Sequence, residues 1–111
     1  VAIAQLSIQY CNALVESPTA RAQYFPGFNF SASPATAFAP AGRAIVLDAL
    51  VGRMLNSNVA TEPDAAGVRT DLDNLITRLS SCSGPCAADR TEVVVKASCA
   101  ALLGSAATLL H

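Results

Sequence analysis

The four cysteines are the residues of this sequence that can take part in the most kinds of chemistry, because a thiol can form a disulfide, bind a metal or act as a nucleophile. Cys82 and Cys86 flank a Ser-Gly-Pro turn, whereas Cys11 and Cys99 stand apart from any other cysteine. An even set in a short chain favours a disulfide framework formed in an oxidising compartment. The Gly-Pro turn brings Cys82 to Cys86, and neighbouring helices would bring Cys11 to Cys99. Of the three pairings that four cysteines allow, we predict these two.

Other uses of the cysteines fit the spacing less well. A zinc site normally takes two close pairs on turns, and Cys11 and Cys99 have no near partner. Haem attachment needs a histidine directly after the second cysteine of a pair, but Ala87 follows Cys86. A thioredoxin-like redox pair has its cysteines two residues apart. We therefore expect no metal and no cofactor.

The sequence offers few routes to catalysis. Its single histidine is His111, the last residue, so most ways of activating a serine or cysteine nucleophile are missing. Ser105 lacks the second glycine of a nucleophile elbow. Asp71 and Asp73 are two residues apart on a predicted helix, which points them to different faces. The six glycines are isolated and form no phosphate-binding loop. We predict that the protein is not an enzyme.

The composition limits the classes of protein to which this chain can belong. The chain has 111 residues, of which 52% are hydrophobic and 14% are charged, the opposite of the balance in disordered chains. This length predicts one domain spanning residues 1–111. Seven basic and eight acidic residues are scattered without a basic stripe, which argues against nucleic-acid binding. The longest uncharged apolar run, Ala97 to Leu110, is too short to span a bilayer.

The start of the sequence bears on its processing. It begins at Val1 with no Met, no basic leader and no small-residue cleavage motif. We expect a mature chain or an excised domain, from which a signal peptide could already have been removed.

Helical spacing recurs in four segments, where apolar residues lie three and four positions apart. In the first of them this stripe contains Ile3, Leu6, Tyr10 and Leu14. The fold class that we predict is all-α: a four-helix bundle-like domain with two disulfides. The predicted helices run from Ile3 to Glu16, from about Ala41 to Leu55, from Thr61 to near Cys82, and from about Ala87 to Leu110.

Short polar sequences mark where these helices begin. Ser17-Pro18 ends the first helix and opens a further turn of helix over Thr19 to Tyr24, with Ser17 as cap. Thr61 and the Glu-Pro-Asp that follows it form the start signal of the third long helix, because acidic residues there face the positive end of the helix dipole.

A long irregular connection separates the first and second long helices. It runs from Tyr24 to Pro40 and contains most of the aromatic residues of the chain. Two interpretations remain open: the rings plug one end of the bundle, or they form a lid over a small apolar ligand. The ring-bearing residues are Tyr24, Phe25, Phe28, Phe30 and Phe38.

The last helix is apolar on every side after its first turn. Such a helix is buried on more than one side, either by its own bundle or by another chain. We therefore predict an interface with another protein chain or with copies of this one. The candidate interface residues are Leu102, Leu103, Ala106, Leu109 and Leu110.

Four blocks, Ile3–Cys11, Arg21–Phe28, Glu62–Arg69 and Val95–Ala107, carry a family resemblance. The chain resembles the helical C-terminal region of bacterial exported proteins that also contain a LamG-like, concanavalin-type jelly-roll domain. The resemblance implies export to the periplasm, the cell surface or the extracellular space, and it implies no catalytic residue. The blocks are helix and turn patterns, and the jelly-roll half is absent from this sequence.

Two functions follow as hypotheses. The first is a non-enzymatic structural or interaction module of an exported bacterial protein, packing against another chain or self-assembling at the cell surface. The alternative is a small helical carrier of an apolar ligand, which would need an apolar cavity of several hundred Å³.

Overall fold

The structure, a computed structural model, describes the backbone of residues 2–54, 65–82 and 84–109, and the side chains of residues 5–52, 67–82 and 84–104. Within these ranges every regular element is a helix, so the predicted all-α fold is confirmed. The elements are α1 (Ala2–Glu16), α2 (Pro18–Tyr24), α3 (Pro34–Ala37), α4 (Pro40–Ala49), a π-helical segment (Leu50–Met54), α5 (Ala65–Leu79) and α6 (Arg90–Leu109).

Proline opens three successive helices, α2, α3 and α4. Its fixed φ suits the first helical turn, where its missing N–H needs no partner. The predicted cap of α2 is confirmed, since the Ser17 hydroxyl accepts a hydrogen bond from the Ala20 N–H at 3.2 Å. The short α3 was not predicted, although Ser33-Pro34 repeats the Ser17-Pro18 pattern.

The second long helix changes form near its predicted end, and the third ends before its predicted position. The second long helix keeps its α-helical form only to Ala49 and continues as the π-helical segment to Met54. The predicted end at Leu55 and the start signal from Thr61 lie outside the described residues. The third helix ends at Leu79 rather than near Cys82. The Arg90 Nε–H donates to the Leu79 carbonyl at 2.8 Å and so satisfies one of the last carbonyls of the helix.

Helix α6 packs most extensively against α1 and also contacts α5 and the π-helical segment. The pair α1–α6 is antiparallel, since Cys11 bonds Cys99 while Glu16, further along α1, pairs with Lys96. Both predicted disulfides are confirmed. The Cα atoms of Cys11 and Cys99 lie 5.8 Å apart, a separation typical of disulfides.

The core lies between α6 and the other elements. It combines aliphatic side chains from the long helices with rings from the segment between α2 and α4. Two polar groups inside it are satisfied: the Thr91 hydroxyl donates to the Ala32 carbonyl at 2.6 Å, and the Ser98 hydroxyl to the Val94 carbonyl at 2.9 Å. The fully or nearly fully buried side chains include Cys11, Val15, Phe25, Val46, Leu50, Ile76, Val94, Val95, Cys99 and Leu102.

The buried face of α1 does not coincide with its large apolar stripe. Ser7, Cys11 and Leu14 point inward, whereas Leu6 and Tyr10 are exposed. The disulfide explains this orientation, because it turns the Cys11 side of α1 towards α6. Leu6 and Tyr10 each precede an inward residue by one position, and one residue rotates a helix by about 100°.

Candidate functional site

The predicted lid residues belong to the core. Phe25, Phe28, Phe30 and Phe38 are all buried, and Tyr24 is half-buried. Their rings pack on one another: the Phe28 and Phe30 centroids are 4.8 Å apart in an edge-to-face arrangement, and Phe28 and Phe38 are 5.4 Å apart. Such ring pairs add to the stability gained from burial. This is the arrangement expected of a plug at one end of the bundle.

Arg21 ties the aromatic segment to α1 and α6. Its guanidinium lies 4.7 Å from the centroid of the Phe30 ring, within range of a cation–π interaction. The same group donates to Glu92 on α6 at 3.2 Å and to the Val15 carbonyl of α1 at 3.3 Å. Because one planar cation contacts all three elements, it helps to hold this end of the bundle together.

The structure describes the side chains of two of the five residues predicted as an interface on α6. Leu102 is 2% exposed and belongs to the core, while Leu103 is half-buried. The side chains of Ala106, Leu109 and Leu110 lie outside the described residues. Helix α6 therefore turns Leu102 towards the core.

Large apolar side chains are exposed mainly on α1. Among the described residues, Leu6 is 64% exposed, Tyr10 52%, Ile8 50% and, on α6, Val93 39%. The helical spacing of the sequence did not predict that these four residues lie at the surface. One signal was available: the first charged residue of the chain is Glu16, so the 15 residues before it contain no charge.

The exposed residues of α1 lie on two sides of its buried face. Leu6 and Tyr10, four residues apart, share one stripe, and Ile8 shares another with Asn12 and Glu16. The Glu16 carboxylate accepts a hydrogen bond from the Lys96 ammonium at 2.8 Å. The Ile8 side of α1 therefore borders the Lys96 side of α6.

The outward side of α6 is lined by small apolar residues. Val93, Ala97, Ala100 and Gly104 recur at helical spacing, and each is half-buried or exposed. The charged side chains near them are already paired, since Lys96 binds Glu16. Together with Ile8, on the side of α1 that borders Lys96, they form what we call the α1–α6 outer surface, defined by Ile8, Val93, Ala97, Ala100 and Gly104. Leu6 and Tyr10 lie on the other side of the buried face of α1 and are not part of this surface.

Two open grooves lie elsewhere. One, of about 380 Å³, lies between α4 and α5 and is lined by Phe38, Leu47 and Arg43 among others. Arg43 is fully engaged there, donating to the Asp73 carboxylate at 3.0 Å and to the Thr77 hydroxyl at 2.6 Å. Its charge is therefore neutralised within the fold.

The other groove, of about 400 Å³, lies beside the second disulfide. Its lining includes Cys82, Gly84, Cys86 and Arg90. The Cα atoms of the two cysteines are 5.5 Å apart, and both residues are partly exposed. This corner joins the end of α5 to the start of α6.

No described helix has the length and apolar content needed to cross a membrane. In the part of the chain that the structure describes, no three His, Cys, Asp or Glu residues are grouped so as to hold a metal ion. No known protein family, curated protein or solved structure matches the chain.

Proposed function

We propose that this chain is a non-enzymatic structural or interaction module that packs against another protein chain or a second copy of itself through the α1–α6 outer surface. One observation carries the proposal: Ile8 is 50% exposed and Val93 39% exposed, and α6 places the small residues Ala97, Ala100 and Gly104 in line with Val93. Grouped apolar side chains at a surface are typical of protein–protein contact sites.

Energetics support association at this surface. Burying apolar area contributes roughly 25 cal/mol per Å² before the entropic cost of binding is subtracted. The small residues Ala97, Ala100 and Gly104 leave room for a partner's backbone to approach α6, since the distance between packed helices depends on the side chains at the contact. The Glu16–Lys96 pair at the border supplies a polar rim, as protein interfaces commonly have.

Export is part of the same proposal. Two disulfides in one small domain are typical of proteins made for the periplasm, the cell surface or the extracellular space. The resemblance to the helical regions of exported LamG-like proteins supports the same compartment.

The carrier of an apolar ligand is the alternative function. The groove of about 380 Å³ beside Phe38 and Leu47 favours it, since small-molecule sites have volumes in this range. The proposed lid supports it less, because its four phenylalanine rings pack against one another in the core.

Native mass measured over a range of concentrations tests the interaction proposal. We expect the wild type to gain mass at high concentration, or to bind a domain encoded beside it, and Ile8→Glu to abolish either contact. Gln9→Glu is the matched control, since it introduces the same charge at an exposed position on the same helix. At roughly 1 mM, association with a binding free energy of about 4 kcal/mol is detectable. The proposal is refuted if the wild type stays monomeric at this concentration and also binds no neighbouring domain.

A further inference from the structure

We propose that Cys82–Cys86 is a thiol-exchange site, a disulfide that reacts reversibly with an external thiol while Cys11–Cys99 stays oxidised. The two bonds differ first in access. Cys11 and Cys99 are 0% exposed, whereas Cys82 and Cys86 are both partly exposed. Because exchange requires a thiolate to reach a disulfide sulfur, access decides which bond reacts in the folded protein.

The groove beside Cys82 and Cys86 gives an incoming thiol room to approach. It has a volume of about 400 Å³ and opens to solvent. Gly84 and Ala87, which also line it, carry little or no side chain to obstruct the sulfurs. Arg90 lines the same groove, and a cation there attracts the attacking thiolate and stabilises the thiolate that leaves.

The corner between α5 and α6 is held by contacts that do not need this disulfide. The Arg90 Nε–H donates to the Leu79 carbonyl at 2.8 Å, and the Arg90 backbone N–H donates to the Ala87 carbonyl at 3.0 Å. The Ser81 hydroxyl donates to the Thr77 carbonyl at 3.0 Å, which satisfies a carbonyl near the end of α5. Reduction of Cys82–Cys86 would therefore be a local event that leaves the core closed.

The exchange proceeds in two balanced steps. A thiolate from a thiol reductant attacks the sulfur of Cys82 or Cys86, breaks the bond between them and forms a mixed disulfide, while the other cysteine leaves as a thiolate. A second reductant thiolate then attacks the reductant sulfur of that mixed disulfide and releases the remaining cysteine. The chain gains two electrons, two reductant thiols become one disulfide, and their two protons pass to the cysteines of the chain.

Alkylation of the folded protein after exposure to thiols tests the proposal. The wild type is incubated with reduced glutathione or dithiothreitol, quenched with iodoacetamide and mapped by peptide mass, while helicity is followed by circular dichroism. We expect alkylation of Cys82 and Cys86 with helicity unchanged. Reduction of Cys11–Cys99 needs opening of the core, so it should be at least about a thousandfold slower. Equal rates at the two bonds, or reduction of either only together with unfolding, would overturn the proposal.

Variants separate access from electrostatics. With Cys82→Ser and Cys86→Ser together, we expect no alkylation of the folded protein, because Cys11–Cys99 remains protected. If Cys11 and Cys99 react in this variant as fast as Cys82 and Cys86 do in the wild type, selectivity does not come from access and the proposal fails. Arg90→Gln should slow exchange several-fold, while Arg90→Lys, which keeps the charge, should slow it less. If the two variants exchange at the same rate, the role given to the Arg90 charge is wrong.

Discussion

The two faces of α6 are both apolar, yet only one is buried. Towards the core, Val94 and Leu102 are enclosed by other elements, whereas Val93, Ala97 and Ala100 on the opposite side keep contact with solvent. The inner face carries valine and leucine beside the hydrogen-bonded Thr91 and Ser98, whereas the outer face carries Val93 and smaller residues. The faces therefore differ mainly in the size of their apolar side chains. Large side chains gain more from burial, so they determine which way such a helix turns.

Removing the disulfide that joins the inner face of α6 to α1 should cause the largest loss in the free energy of unfolding. Cys11→Ala with Cys99→Ala opens a loop with a sequence separation of 88, which the chain-entropy account values at about 4 to 5 kcal/mol. Urea unfolding under non-reducing conditions measures the loss. As a control, Cys82→Ala with Cys86→Ala opens a loop with a separation of only 4, and the same account gives about 2 kcal/mol. Equal losses in the two double variants would contradict this ranking.

A cavity in the inner face should cost somewhat less. Leu102→Ala removes a buried side chain next to the core, and we expect a loss of about 3 kcal/mol in the free energy of unfolding. Leu103→Ala, one position along α6 and half-buried, provides the control and should lose less. Chemical denaturation of both variants checks the difference. A larger loss for Leu103→Ala would show that Leu103, and not Leu102, is the residue of α6 that faces the core.

Thr91, one of two polar residues in the inner face, should contribute about 1 to 2 kcal/mol through its hydrogen bond. Thr91→Val keeps the shape of the side chain but leaves the Ala32 carbonyl without its donor at 2.6 Å. Thr91→Ser retains a hydroxyl in the same place and should recover part of the loss. Thermal unfolding of the three proteins measures the contribution. If Thr91→Val is as stable as the wild type, the hydrogen bond does not anchor the aromatic segment.

The smallest effect on folding is expected at the outer face. Val93→Ser should change the free energy of unfolding less than the substitutions in the inner face, by about 0.5 kcal/mol, because Val93 is 39% exposed. It should nevertheless weaken association, since it removes apolar area from the α1–α6 outer surface. Sedimentation velocity and denaturation together separate the two effects. A Val93→Ser protein that unfolds far more easily would show that this side of α6 is also part of the core.

Local rules were sufficient to predict much of the fold. The pairing of all four cysteines followed from a turn between two of them and helical positions for the others. Ser17-Pro18 predicted both a helix end and a helix start, and the same rule applied to Ser33-Pro34 would have found α3. These features depend on neighbouring residues, which the sequence shows directly.

The parts that could not be predicted depend on packing between distant segments. Helix α1 has no charged residue before Glu16, so no charge marks the side of the helix that faces water. The disulfide to Cys99 orients it, which exposes Leu6 and Tyr10. The aromatic segment has no helical or strand period, and its burial results from ring contacts and from Arg21. The exposed surface therefore became visible only in the assembled fold.

The disulfide between α1 and α6 also determines how this protein would carry a mechanical load. A pulling force that enters before Cys11 and leaves after Cys99 passes directly through their bond. The intervening chain, with a sequence separation of 88, amounts to roughly 300 Å of extensible length when fully stretched, and the bond shields it from the force. Under oxidising conditions the force would stretch the segments before Cys11 and after Cys99, while the core between these cysteines stays folded. Only cleavage of that covalent bond would let the chain between the two cysteines unfold and extend under the force.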